Sequence, residues 1–155
     1  MYLTGNTNLV LSVPHDGRTE LPSIPERRPG CRDAEAGCRY PGAGDCSEDR
    51  VCRVITGPDT NAADIARTVF NKILEVTGRT PALVISHLHR SRLDPNRPVE
   101  EAAQGNKEAI SAYKAFHQAI EDSHRAVGDR PGLHIDFHGY RDVKKYVIYL
   151  LTFIL

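Results

Sequence analysis

The chain has 155 residues, 40% of them hydrophobic and 26% charged, enough for one domain with a buried core and too little for two comfortable ones. Twenty basic residues balance twenty acidic ones, so the broad positive footprint of a nucleic-acid-binding protein is missing. Met1-Tyr2-Leu3-Thr4-Gly5-Asn6 has no basic stretch leading into an apolar one, so no signal peptide is expected.

Leu9–Val13 reads as a buried strand that runs into the tight turn Pro14-His15-Asp16-Gly17. From Gly17 to about Arg50 no periodicity is sustained, and prolines and glycines break the chain repeatedly. The stretch from about 18 to 50 is read as a loop insertion, unusually long to be structureless, so a short strand or turn is expected inside it. It holds Cys31, Cys38, Cys46 and Cys52, spaced C-x6-C-x7-C-x5-C, without the close pairs of structural zinc sites. Two disulfides pinning the loop fit better than free thiols or a metal knot. Three pairings stay open, and disulfides would favour an extracellular or secretory setting.

Val51–Ile55 is strand-like. Beyond Gly57-Pro58, Asp59 or Thr60 is placed to cap a helix with an apolar face of Ile65, Val69, Ile73, Leu74 and Val76, closed by Gly78. Ala82–Ser86 is another strand. Glu100–Val127 reads as one long helical segment, and Leu133–Phe137 as the last strand. Tyr146–Leu155 is an apolar tail of ten residues, against about 20 for a membrane span; it is expected to be a buried strand or an exposed, sticky end. The order of elements predicts a single α/β domain over 1–155, a mostly parallel sheet flanked by helices.

The chemistry gathers where these strands end. Residues i and i+2 of a strand point to one side, so Asp136 and His138 leave the sheet together, where α/β proteins place their sites. His15 ends a second strand in the same way. A lone histidine after a strand is more often a hydrogen-bonding loop residue than a ligand, but two strands each delivering one suggest a metal. His87 and His89 would share a face if their strand continued. Arg92-x-Asp94-x-Asn96-Arg97 is either a solvated charge run or a loop whose guanidinium groups read a carboxylate. Asp59 is either an N-cap or a third ligand in an open His/Asp/His site.

Val13-Pro14-His15-Asp16-Gly17, Asp59, Ser91-Arg92-x-Asp94-x-Asn96-Arg97 and Ile135-Asp136-x-His138-Gly139 together resemble the N-formylglutamate amidohydrolase (deformylase) family over roughly residues 9 to 142. The arginine-bearing run is one residue shorter here between Arg92 and Asp94. The resemblance implies a fold similar to zinc-dependent exopeptidases and carboxypeptidases, and hydrolysis of an N-acyl or N-formyl amino acid. It implies His15, Asp59 and His138 as Zn2+ ligands. Arg92 and Arg97 would grip the substrate carboxylate or polarise its carbonyl, Asn96 and Asp94 would hold the loop, and Asp136, Asp94 or Asp16 would move protons. The His-x-x-Glu ligand pair of the carboxypeptidase-like relatives is absent: Arg18 stands three residues after His15, and Glu20 is displaced. The family is also longer, so a C-terminally shortened member is expected, lacking the later glutamate base. A catalytically impaired member that binds a ligand or protein is the alternative; an extracellular interaction domain built on the cysteine loop is a further one.

Overall fold

Runs of β-branched and leucine residues with little polar alternation suit strands covered on both faces; two such runs, Leu9–Val13 and Ala82–Ile85, lie side by side at the centre of the molecule, and the half-buried, alternating run Gly132–Asp136 flanks them. The computed structural model describes residues 1–33, 35, 37–41, 46–139 and, by their backbone, 151–154. In chain order the elements are β1 (Tyr2–Leu3), β2 (Leu9–Val13), β3 (Gly30–Asp33), β4 (Gly37–Arg39), a 3-10 turn (Glu48–Arg50), β5 (Val51–Cys52), α1 (Ala62–Thr77), β6 (Ala82–Ile85), α2 (Val99–Ala103), α3 (Lys107–Val127), β7 (Gly132–Asp136) and β8 (Leu151–Ile154).

The main sheet has the order β1-β6-β2-β7-β8. β2 lies parallel to both β6 and β7, whereas β1 and β8 are antiparallel edges. The sheet is therefore mixed, not mostly parallel: crossover helices force only the three central strands into one direction. The tail expected to be strand-like contributes β8; its residues 146–150 and 155 lie outside the described residues. Period two divides the central strands between two helical layers. Leu11, Val13, Leu83 and Ile85 pack with Ala62 and Ala66 of α1 and with Phe137. Val10, Ala82 and Val84 pack under Val127, Phe116 and Ala119 of α3.

Three expectations need correction. Val51–Ile55 does not join the main sheet; only Val51–Cys52 is strand, within a small antiparallel sheet β4-β3-β5. Disulfides Cys31–Cys46 and Cys38–Cys52 hold this sheet together. Each closes a loop worth about 3 kcal/mol in denatured-chain entropy, which offsets the small sheet's lack of a core of its own. The segment 100–127 is two helices, because Gln104 and Gly105 take positive φ and Asn106 caps α3 by accepting from Ala109 N. Finally, α1 buries Ala62 and Ala66, while Leu74 and Val76 are 42% and 70% exposed. Small residues one turn apart let the helix lie close on the sheet, so its far end need not be covered.

Among the described residues no helix is long and apolar enough to cross a membrane. The connection after β2 leads to α1 on one face, and the connection after β6 leads to α3 on the other. The two connections part at the carboxyl ends of β2 and β6, where open α/β sheets place their sites.

Candidate metal centre

β2 delivers His15 to this end of the sheet, where it is 1% exposed. Two residues on, the chain runs against the loop after β6 through the bridges Gly17–His89 and Thr19–Leu88. A Cβ on Gly17 would stand 2.2 Å from Leu88 O, so only glycine permits this approach. The approach brings the loop carrying Arg90 and Asp94 up to His15. Asp59 is fixed from its backbone, whose N–H donates to His15 O at 3.0 Å. β7 pairing with β2 continues through Phe137 N to Ser12 O, which sets His138 beside the other two.

Asp59 is not the N-cap of α1. That helix starts at Ala62 after Asn61, whose φ is 71° and whose side chain makes no cap hydrogen bond. The orphan N–H of Ala63 donates instead to Asp16 Oδ2. Freed from capping, the Asp59 carboxylate turns to the histidines. His15 Nδ1 and His138 Nδ1 both lie 3.2 Å from the same Asp59 Oδ2. One ligand atom from each of His15, Asp59 and His138 lies within 4.8 Å of the others, a group that could hold a metal ion.

The opposite ring nitrogens carry carboxylates. His15 Nε2 is 2.6 Å from Asp94 Oδ1 and His138 Nε2 is 2.8 Å from Asp136 Oδ2. A neutral imidazole donates from one nitrogen and accepts at the other. In the neutral form that a metal would bind, Nε2–H goes to the carboxylate and each Nδ1 lone pair would face the centre, the arrangement that orients metal-ligating histidines. Arg90 spans the group, donating from Nε to Asp94 Oδ2 and from Nη1 to Asp59 Oδ1. Arg27, 4% exposed, reaches Asp94 Oδ2 at 3.4 Å and donates to Arg90 O and Ile55 O. Arg90 and Arg27 thus balance Asp94 and Asp59, whereas the contacts of Asp136 are with Ser12 and His138; three carboxylates against two guanidinium groups leave the centre short of positive charge.

The ionisation pattern agrees. Burial raises the Asp59 carboxyl, but hydrogen bonds from His138 and His15 outweigh it and hold the group well below the usual carboxylate range. Asp94 behaves likewise, with His15 and Arg90 overcoming burial. Burial works against a charged His138, yet Asp136 and Asp59 push it up to about 9. Without a metal, a proton supplies the missing positive charge.

The three residues read as ligands therefore meet, as do the two aspartates read as catalytic. Asn96 joins through its N–H, which donates to Asp94 Oδ1. Arg92 turns away, donating to Ile24 O and Glu20 Oε2. Arg97 pairs with Glu101 at 3.5 Å and donates to Asn96 O. The strand before His87 stops at Ile85, and His89 bonds Ser91 within its own loop, so that pair is not a metal arm. Sequence reading overlooked Arg90, Arg27, Ser12 and His134. Arg90 stood four residues before Asp94, and His134 four before His138 on the same strand face; Arg27 gave no signal. No family model, curated protein or solved structure matches the chain.

Proposed function

We propose that the chain is a zinc-dependent amidohydrolase acting on an N-acyl or N-formyl amino acid, or a similar carboxylate-bearing amide, in the manner of the N-formylglutamate amidohydrolases and with a fold similar to zinc-dependent exopeptidases. The observation that carries the reading is the convergence of two Nδ1 atoms on one Asp59 oxygen, each at 3.2 Å. Tetrahedral zinc with bonds of about 2.0–2.1 Å spaces its ligand atoms about 3.3 Å apart, so two edges of the ligand triangle already have the right length. Three protein ligands leave the fourth position open, as catalytic zinc requires. Zinc supplies there a Lewis acid for an amide carbonyl and lowers the pKa of water towards neutrality.

The chain's own residues do the rest. Asp94 and Asp136 keep both rings turned inward and are better suited to orienting them than to moving protons, because their oxygens are already engaged. Of the three carboxylates considered as bases, Asp16 keeps a buried oxygen, Oδ1, without a hydrogen-bond partner among the described residues. Asp16 is accordingly the group proposed to accept a proton. Asn96 and Arg97 follow Asp94 on a loop tied to His15, and Arg97, 37% exposed, is the arginine proposed to read a substrate carboxylate. Arg92 serves to brace that loop against Glu20.

The test is to incubate the zinc-loaded chain with N-formyl and N-acetyl amino acids and with their carboxamide analogues, following amine release by NMR. Turnover that needs zinc and falls with the carboxamides supports the reading. One zinc bound without turnover would instead favour the metal-holding binding domain, to which the engaged state of Asp94 and Asp136 also lends support.

A further inference from the structure

The α3-facing side of β7 is polar where the rest of that sheet face is apolar: Gly132, His134 and Asp136 alternate along it, and Ser12 lies opposite Asp136 on β2. Ser12 is 1% exposed, and a buried hydroxyl is retained at a cost unless it is hydrogen-bonded. It is bonded twice. Ser12 Oγ lies 2.5 Å from Asp136 Oδ1 and 2.8 Å from His134 Nε2. His134 Nδ1 in turn lies 3.2 Å from Nε2 of His124 on α3. A hydrogen-bonded row therefore runs from His124 through His134, Ser12 and Asp136 to His138.

We propose that Ser12 and His134 are positioning residues of the metal centre: through Asp136 they hold the His138 ring with Nδ1 turned to the metal. This rests on the metal reading above.

Counting protons gives the row its direction. An ionised carboxylate only accepts, and a serine hydroxyl has one proton to give. Asp136 takes that proton's hydrogen bond, so Ser12 Oγ must accept from His134 Nε2–H. A neutral His134 then offers its Nδ1 as acceptor to His124 Nε2–H. Every donor in the row points toward Asp136, so the bonds polarise one another in the same sense. Burial lowers the pKa of both His134 and His124, which keeps both rings in the neutral form this count requires.

The arrangement differs from that behind His15. Asp94 is gripped by Arg90 and Arg27, and its place is set by charge. Asp136 receives Ser12, a neutral donor whose own lone pair His134 must fill. Removing either link frees the carboxylate to rotate and the His138 ring with it.

The experiment measures zinc affinity by chelator competition in the wild-type chain and in Ser12→Ala, His134→Leu and His134→Gln. Loss of an outer hydrogen bond to a ligating histidine weakens binding by about 10–100-fold, and that loss is expected for Ser12→Ala and His134→Leu. His134→Gln, whose amide can still donate to Ser12, is expected to stay close to wild type. Tight wild-type binding with Ser12→Ala unchanged overturns the proposal and spares the metal centre. A folded wild-type chain that binds no zinc overturns both. A second measurement does not depend on the variants folding: two-bond 1H–15N correlation spectra of the wild-type chain should show His134 and His124 as Nε2–H tautomers. A proton on Nδ1 of His134 would overturn the proposal.

Discussion

The two halves of the candidate metal centre are built on opposite principles. On the β2–β6 side, His15 is 1% exposed and its carboxylate partner Asp94 0%, and two arginines balance the charge. On the β7 side, His138 and Asp136 are about one-fifth exposed, at 21% and 19%, and Ser12 backs the carboxylate. The first half is fixed by buried charge, which is costly to disturb. In the second, the His138–Asp136 pair is backed by neutral groups, Ser12 and His134, which are less costly to change. Stability and metal affinity should therefore respond to different residues.

The largest separation is expected from Arg90. Arg90→Met would leave Asp59 and Asp94 buried with less compensation and should cost about 3–5 kcal/mol of stability in urea unfolding. Asp136→Asn, on the other half, should change stability far less and weaken zinc binding by about 10–100-fold. The reverse ranking would break the comparison. The cysteine loop leans on the first half, because Arg27 donates to Ile55 O just beyond Cys52. Replacing Cys38 and Cys52 together by serine should cost about 3 kcal/mol while the zinc stoichiometry stays at the wild-type value.

How pH acts follows from His138, raised to about 9 by Asp136 and Asp59 against the effect of burial. Its folded pKa exceeds the unfolded value of about 6.5. In the metal-free chain its contribution to stability is thus fully present below about pH 6.5 and lost as pH rises through about 9. Zinc must displace that proton, so apparent affinity should rise about tenfold per pH unit up to about 9, readable as proton release in calorimetry with buffers of different ionisation heat. A flat affinity between pH 6.5 and 9 would remove His138 from the ligand set. The smallest effect is expected at Arg92, which binds the exposed Glu20: Glu20→Ala should leave the urea-unfolding midpoint close to the wild-type value and zinc affinity unchanged.

Much of this centre was legible in the chain. Strand parity put Asp136 and His138 on one side, and the turn after Val13 put His15 at the same end. Asp59 was ambiguous because a helix start offers an aspartate two uses; the distant Asp16 took over the capping, which no local pattern reveals. Arg90 was passed over for Arg92 because both precede Asp94 in the same charged run, and only the loop's path decides which guanidinium turns inward. His134 was hidden inside what reads as an apolar strand. In the fold, the strand pair Tyr2–Leu3 is too short to carry periodicity, and the break at Gln104-Gly105 was masked by alanines that keep helical spacing across it. The disulfides were expected from the cysteine count, whereas their pairing needed the register of the small sheet.

The most direct test of the account is zinc content by elemental analysis of the purified, reconstituted chain beside His15→Ala and His138→Ala. The account predicts about one zinc per chain, the number a single open three-ligand site takes, and its loss in both variants. A folded wild-type chain that takes up no zinc, or variants that keep it, would contradict the metal centre.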